Sequence, residues 1–159
     1  MMGRHPYLGP LAFEGKEDIF IAEQAMEITD TKQFSSCLFS EISGGEKQRV
    51  MLASAIAQQP KVMVLDEPTS ALDIKYQIEI LGILKRLNNE CGLTLILAMH
   101  DLHLASKFCN RLILLDEGKL VFEGPSKKVL TKEILEKVYG IKIKVFTDKD
   151  DGSLIVYPH

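Results

Sequence analysis

Val62-Met63-Val64-Leu65-Asp66-Glu67-Pro68-Thr69-Ser70-Ala71-Leu72-Asp73 is the stretch from which the rest of the chain is read. Four apolar residues run into two adjacent carboxylates, a proline follows, and a short polar turn ends in a third acid. An apolar run with no polar face is expected to be a strand buried on both sides, as in a parallel sheet. Acids at the C-terminal end of such a strand stand where open α/β sheets bind ligands. Strand side chains alternate, so Asp66 and Glu67 are expected to point to opposite faces. One would suit a metal ion and the other a water. The plainer alternative is a strand ending in a solvated acidic turn, and the flanking sequence argues against it.

The 159 residues fit one domain, or a domain with a small appendage, and 46% hydrophobic residues are enough for a core. The net charge is −3 and no long basic run exists, so the electrostatic footprint of a nucleic-acid binder is missing. Cys37, Cys91 and Cys109 are far apart and form no C-x-x-C, which suits free thiols in a reducing cytosol. No stretch reaches the roughly 18 apolar residues of a membrane span. Met1-Met2-Gly3-Arg4-His5-Pro6 lacks the apolar core of a signal peptide, so a membrane role is expected to come through a partner.

Residues 1–12 are expected to be a Gly/Pro-punctuated lead-in. Gly15 to Ile28 approximates a helical stripe through Ile19, Phe20, Ala22, Ala25, Met26 and Ile28. A second helix is predicted from Ser43 to about Gln59, ended by Pro60. After the strand, Ile74 to Asn89 is strongly amphipathic, with Ile74, Ile78, Leu81 and Leu84 in register, and Cys91-Gly92 closes it. Leu93 to Met99 is a second buried-strand candidate running into His100 and Asp101, the latter a plausible cap for a helix over 101–109. Hairpins are expected around Asp116-Glu117-Gly118 and across Asp148 to Gly152, with two short helices between Ser126 and Tyr139. Strand–helix–strand alternation argues for an α/β fold with a parallel sheet.

Ser43-Gly44-Gly45-Glu46 is, first, a capping box: a serine N-cap and a glutamate three residues on. The cap does not explain two glycines in the first turn, which weaken a helix. Glycines there let another molecule approach backbone N–H groups that attract anions.

In this order the motifs identify a family. Ile42-Ser43-Gly44-Gly45-Glu46 resembles the signature motif of ATP-binding-cassette ATPases, usually Leu-Ser-Gly-Gly-Gln. Val62 to Glu67 resembles their Walker B strand, Ser70-Ala71-Leu72-Asp73 their D-loop, and His100 their switch histidine. The resemblance implies ATP and Mg²⁺ as cofactors. Asp66 would hold Mg²⁺, Glu67 would orient or deprotonate the attacking water, and His100 would contact the γ-phosphate. Ser43, Gly44, Gly45 and Glu46 would face ATP held by a second ATPase subunit, with Asp73 working across the same interface, a homodimer being one such pairing. The helical lobe would dock a membrane permease, placing the chain in the cytoplasm on the inner face of the membrane, with no nucleic-acid partner. His103 beside His100 is the ingredient of a metal pair, but the expected Mg²⁺ prefers oxygen ligands.

Two departures stand out. Ile42 and Glu46 replace leucine and glutamine, and the sequence contains no G-x-x-x-x-G-K-[ST] P-loop. Gly15-Lys16 and Gly118-Lys119 fail, because Pro10 and Ile113 stand where the first glycine belongs and Glu17 and Leu120 follow the lysines. The expected fold is therefore an incomplete P-loop NTPase core, resembling the C-terminal two-thirds of such an ATPase, with an uncovered sheet edge. Its expected parts are a helical lobe at 1–58, an α/β core at 59–125, and C-terminal helices with a β-hairpin at 126–159. Gly3-Arg4-His5-Pro6-Tyr7, Leu72 to Gln77, Asp101 to Ala105 and the tail after Gly124 resemble the ATPases of iron–siderophore, haem and cobalamin importers. Alternatives are a non-hydrolysing interaction fragment of a split ATPase and a non-transport cassette protein.

Overall fold

A computed structural model of the chain describes residues 2–7, 13–70 and 72–158. Leu8 to Ala12 of the expected lead-in and Ala71 of the acidic turn lie outside the described residues. The chain divides into two compact units, Met1–Ala98 and Met99–His159.

In the first unit, helix α1 (Lys16–Ile28) packs on helix α2 (Gly44–Ile56) through small side chains. Ala25, Ala53 and Ala57 form the buried contact, flanked by Ile21, Met26 and Ile56. This rotates the expected stripe of α1. Ile19 and Phe20 stand in solvent, Phe20 at 58% exposure, because the alanines let the helices meet along a face that excludes them. After Thr29, whose hydroxyl donates to the Ala25 carbonyl, Asp30 takes a left-handed φ of 50° and turns the chain away.

Strand β1 (Val62–Asp66) pairs in parallel with strand β2 (Thr94–Ala98), with Val64 opposite Ile96 and Asp66 opposite Ala98. Helix α3 (Ile74–Cys91) connects them. Asp73 caps α3 by accepting from the Tyr76 N–H at 3.2 Å, and Gly92 ends it at φ 66°, a left-handed C-cap that glycine adopts without strain. The helix buries Ile80, Leu81, Leu84 and Leu87. Ile74 and Ile78, expected on the same stripe, are exposed, because the stripe outruns the elements that cover it.

The expectation of strands buried on both sides is corrected here. Met63 is buried, but Val64 is 69% exposed and Ile96, its partner across the sheet, 54%. The apolar run is a property of the sequence; burial needs a second layer. Among the described residues nothing covers this face, and the sheet has two strands with both outer edges unpaired.

In the second unit, helix α4 (Leu102–Phe108) begins at Asp101, whose carboxylate accepts from the Leu104 N–H at 2.9 Å. Strands β3 (Leu112–Asp116) and β4 (Lys119–Gly124) form a hairpin whose two-residue turn, Glu117-Gly118, has positive φ at both positions, the geometry that matches strand twist. Short helices α5 (Ser126–Val129) and α6 (Lys132–Tyr139) precede a second hairpin of β5 (Ile143–Thr147) and β6 (Leu154–Pro158). Val129, Leu130, Leu135, Ile143 and Leu154 make the core. The α4 helix is tied to β6 by the Leu154 N–H, which donates to Ser106 Oγ at 2.8 Å, and by His103 Nδ1, 3.1 Å from the Leu154 carbonyl. His103 thus has a structural partner.

Two carboxylates give the stability an acid limb. The Arg4 guanidinium, then the Gly15 N–H, hold Asp18 below its ordinary 3.8. The Lys107 ammonium, 2.7 Å away, and then Ser153 push Asp151 far lower. A depressed folded-state pKa stabilises above the unfolded value, and that stability is lost as pH falls through the folded one. The urea midpoint is therefore expected to be flat near neutrality and to fall steadily below about pH 4. Asp18→Asn and Asp151→Asn together should lower the neutral midpoint and flatten that acid limb.

Candidate functional site

The acidic turn is built by the end of β1. Asp66 is the last strand residue and is exposed. Glu67 is also exposed, and its N–H still donates to the Ala98 carbonyl of β2 at 3.0 Å. Its φ is 43°, in the left-handed region that side chains with a Cβ avoid. Strand alternation therefore ends at Asp66. Glu67 has already left the strand geometry, so alternation does not set the face of its carboxylate.

The turn beyond is fixed by side chains. Ser70 Oγ donates to the Glu67 carbonyl at 3.2 Å, and Gln77 Nε2 reaches back from α3 to the Thr69 carbonyl at 3.1 Å. Pro68, Thr69 and Leu72 are buried, so the acids sit on a packed base.

At the start of α2, the expected capping box is reciprocal. The Ser43 N–H donates to Glu46 Oε2 at 2.7 Å, and the Glu46 N–H donates to Ser43 Oγ at 3.4 Å. The Ser43 N–H, and then its hydroxyl, hold the Glu46 carboxyl below its ordinary value, so it is ionised at neutral pH. The N–H groups of Gly44 and Gly45 lie in the first helical turn and have no partner within the helix.

The two glycines answer different demands. A Cβ on Gly45 would lie 3.0 Å from Leu72 Cδ2, so this position is small because the D-loop-like turn packs on it. A Cβ on Gly44 would meet nothing within 4 Å. No intramolecular contact asks for glycine there.

Gln48, one turn into α2, donates its side-chain amide to the Pro68 carbonyl. Gln48 and the Leu72–Gly45 contact dock the signature-like end of α2 onto the turn after β1. Sequence reasoning named the acids and the serine–glycine pair but gave no docking role to Gln48, Leu72 and Gln77, which hold them together. A glutamine on a polar helix face carries no signal that separates it from surface. His100 lies in the second unit, two residues beyond the end of β2, and is exposed.

The donor set fits the expected ion. Mg²⁺ takes hard oxygen ligands and keeps several waters, so one or two protein carboxylates suffice. Asp66 meets that need, and among the described residues no group of three or more His, Cys, Asp or Glu forms a cage for another metal.

The ABC transporter family profile matches residues 14–70, which carry the signature-like helix and the acidic strand. The ferric enterobactin transport ATP-binding protein of Escherichia coli K12 is 37% identical over 156 residues, 98% of this chain. This chain belongs to the ABC transporter ATPases. It spans 58% of that relative's length. A putative metal-chelate type ABC transporter, solved in an inward-facing conformation, superposes with a TM-score of 0.90 at 27% identity, covering 99% of this chain and 63% of the other. A dimeric ATP-binding cassette solved after hydrolysis with ADP and Pi gives 0.65 at 33% identity, over 74% of this chain and 51% of the other. The ABC ATPase therefore has the P-loop NTPase fold over this stretch, to which the parallel β1–β2 pair belongs.

Proposed function

We propose that this ABC ATPase chain supplies the hydrolytic carboxylate and the signature end of an importer's ATP-driven subunit. The observation that carries this is the docking of α2 on the acidic turn through Gln48 and Leu72, which holds Ser43-Gly44-Gly45 and Asp66-Glu67 in one unit. Asp66 would hold Mg²⁺ through oxygen, and the ion when bound would supply charge neutralisation for a transferring phosphoryl group. Glu67 accepts the proton of the attacking water. Ser43 presents its hydroxyl, and Gly44 and Gly45 the N–H groups that the helix leaves unpaired, to the phosphates of ATP on a second ATPase subunit, and the open space beside Gly44 leaves room for that approach. Glu46 completes the cap, Asp73 fixes the start of α3 at the same interface, and His100 contacts the γ-phosphate.

The helical part, 1–58, faces a membrane permease. Residues 59–125 carry the acids and the histidine, and 126–159 close the second unit. Among the described residues no helix is long and apolar enough to cross a membrane. The reading places the chain on the cytoplasmic side of the membrane, held there by the permease. The cargo is an iron–siderophore complex, haem or cobalamin. The ferric enterobactin and metal-chelate relatives support the first of these.

Calorimetry tests the reading. With no P-loop in its sequence, the 159-residue chain is expected to bind Mg-ATP no tighter than about millimolar. Turnover should emerge on mixing with a polypeptide that carries a P-loop. Micromolar affinity of the chain alone, or no turnover in any such mixture, would overturn it.

A further inference from the structure

The proposed chemistry leaves Gly3-Arg4-His5-Pro6-Tyr7 without a role, yet its side chains make a cluster of polar contacts to α1 and the end of α2. Met2–Tyr7 is a 3-10 turn laid against the C-terminal end of α2. A Cβ on Gly3 would lie 2.2 Å from the Ser54 carbonyl oxygen, so only glycine allows this approach.

Arg4 is 6% exposed. Its Nη1 donates to the carbonyl of Ala57, the C-cap of α2, at 3.0 Å, and to Gln59 Oε1 at 3.3 Å. Its Nε donates to Asp18 Oδ1 at 2.9 Å, in the first turn of α1. The guanidinium lies 4.0 Å over the Tyr7 ring, and the Tyr7 hydroxyl donates to the Gln58 carbonyl. A buried cation is tolerated only when its donors are matched, and a planar fork reaches several acceptors that an ammonium cannot. At the end of α2 the charge also meets the negative pole of the helix dipole. Along their length α1 and α2 touch through alanines flanked by Ile21, Met26 and Ile56, and at the opposite end of α1 the buried Arg49 of α2 donates to the Asp30 carbonyl at 3.4 Å, so Arg4 is the tie at the α1 start.

We infer that Arg4 is a positioning residue. It pins α1 to the C-terminal end of α2, so that a load on the exposed α1 face around Ile19 and Phe20 moves α2 as a rigid rod. The far end of that rod, about 20 Å away over its 13 residues, is Ser43-Gly44-Gly45. The inference rests on the proposed nucleotide role of that end.

The test uses the full chain with Cys37, Cys91 and Cys109 replaced by serine and spin labels at Glu23→Cys and Met51→Cys, on exposed positions of α1 and α2. Double electron–electron resonance should show a narrow distance distribution. Arg4→Met should widen it about twofold with helix content kept, Arg4→Lys less, and Tyr7→Phe in the same direction. Unchanged widths in Arg4→Lys and Tyr7→Phe would overturn the pin even if Arg4→Met fails to fold. In the mixed ATPase, Arg4→Lys should lower kcat about tenfold with KM for ATP nearly constant. A widened distribution with turnover untouched would refute the nucleotide reading of α2 and leave the mechanical pin standing.

Discussion

Glu67→Gln is expected to lower ATP turnover by about 10²- to 10⁴-fold in an assembly of this ABC ATPase with a P-loop-bearing partner. The change keeps the shape of the side chain and removes its ability to take a proton. The surroundings should tolerate it. Glu67 is exposed, and the backbone bonds that shape the turn, its N–H to the Ala98 carbonyl and its carbonyl from Ser70, are left in place by the substitution. Thermal stability and nucleotide binding by the assembly should therefore stay near wild type while phosphate release collapses. Rates equal to wild type would remove Glu67 from the chemistry. A parallel loss of binding and stability would mean that the position serves the fold.

The largest expected effect on stability comes from the smallest side-chain addition. Gly3→Ala should destabilise the first unit by about 1–3 kcal/mol, read as a shift in the urea midpoint. The added methyl would point at the Ser54 carbonyl oxygen, 2.2 Å away, and that oxygen belongs to a helix backbone, which cannot swing aside as a side chain would. Either α2 distorts or the Met2–Tyr7 turn lifts off, taking the Arg4 contacts with it. Gly44→Ala is the control. Its methyl meets nothing within 4 Å, and alanine is the better helix former, so this variant should be neutral or slightly more stable. If Gly3→Ala matched Gly44→Ala, the turn would not be seated on α2 as described.

How much of this was legible in the sequence depended on whether the signal was local. The helix starts at Ser43 and Asp101 follow from residues whose side chains bond their own first turn, and the structure shows those bonds. The Glu117-Gly118 hairpin and the Gly92 stop follow from backbone freedom that few residues have. Signals that depend on a distant partner did not transmit. Val64 and Ile96 have a core-like sequence and an exposed structure, because apolar character states what a side chain would prefer and not whether a neighbour exists. Arg4 stands in a Gly/Pro-punctuated lead-in with no local sign of burial, and its burial depends on acceptors more than fifty positions away. The two acids and the serine–glycine pair of the candidate site were legible as types of chemistry. Their shared base, built by Gln48, Gln77 and Leu72, was not, because each is an ordinary residue for its element.

The backbone at Glu67 carries a tension between endurance and work. A residue with a side chain in the left-handed region, followed by proline, sits about 1–2 kcal/mol above its relaxed state. Glycine would relieve that strain, so the most durable version of this turn is one without its acid. Selection for thermal resistance alone would therefore drift toward Glu67→Gly and erase the carboxylate, and screens that reward melting temperature in this ABC ATPase need turnover as a second criterion.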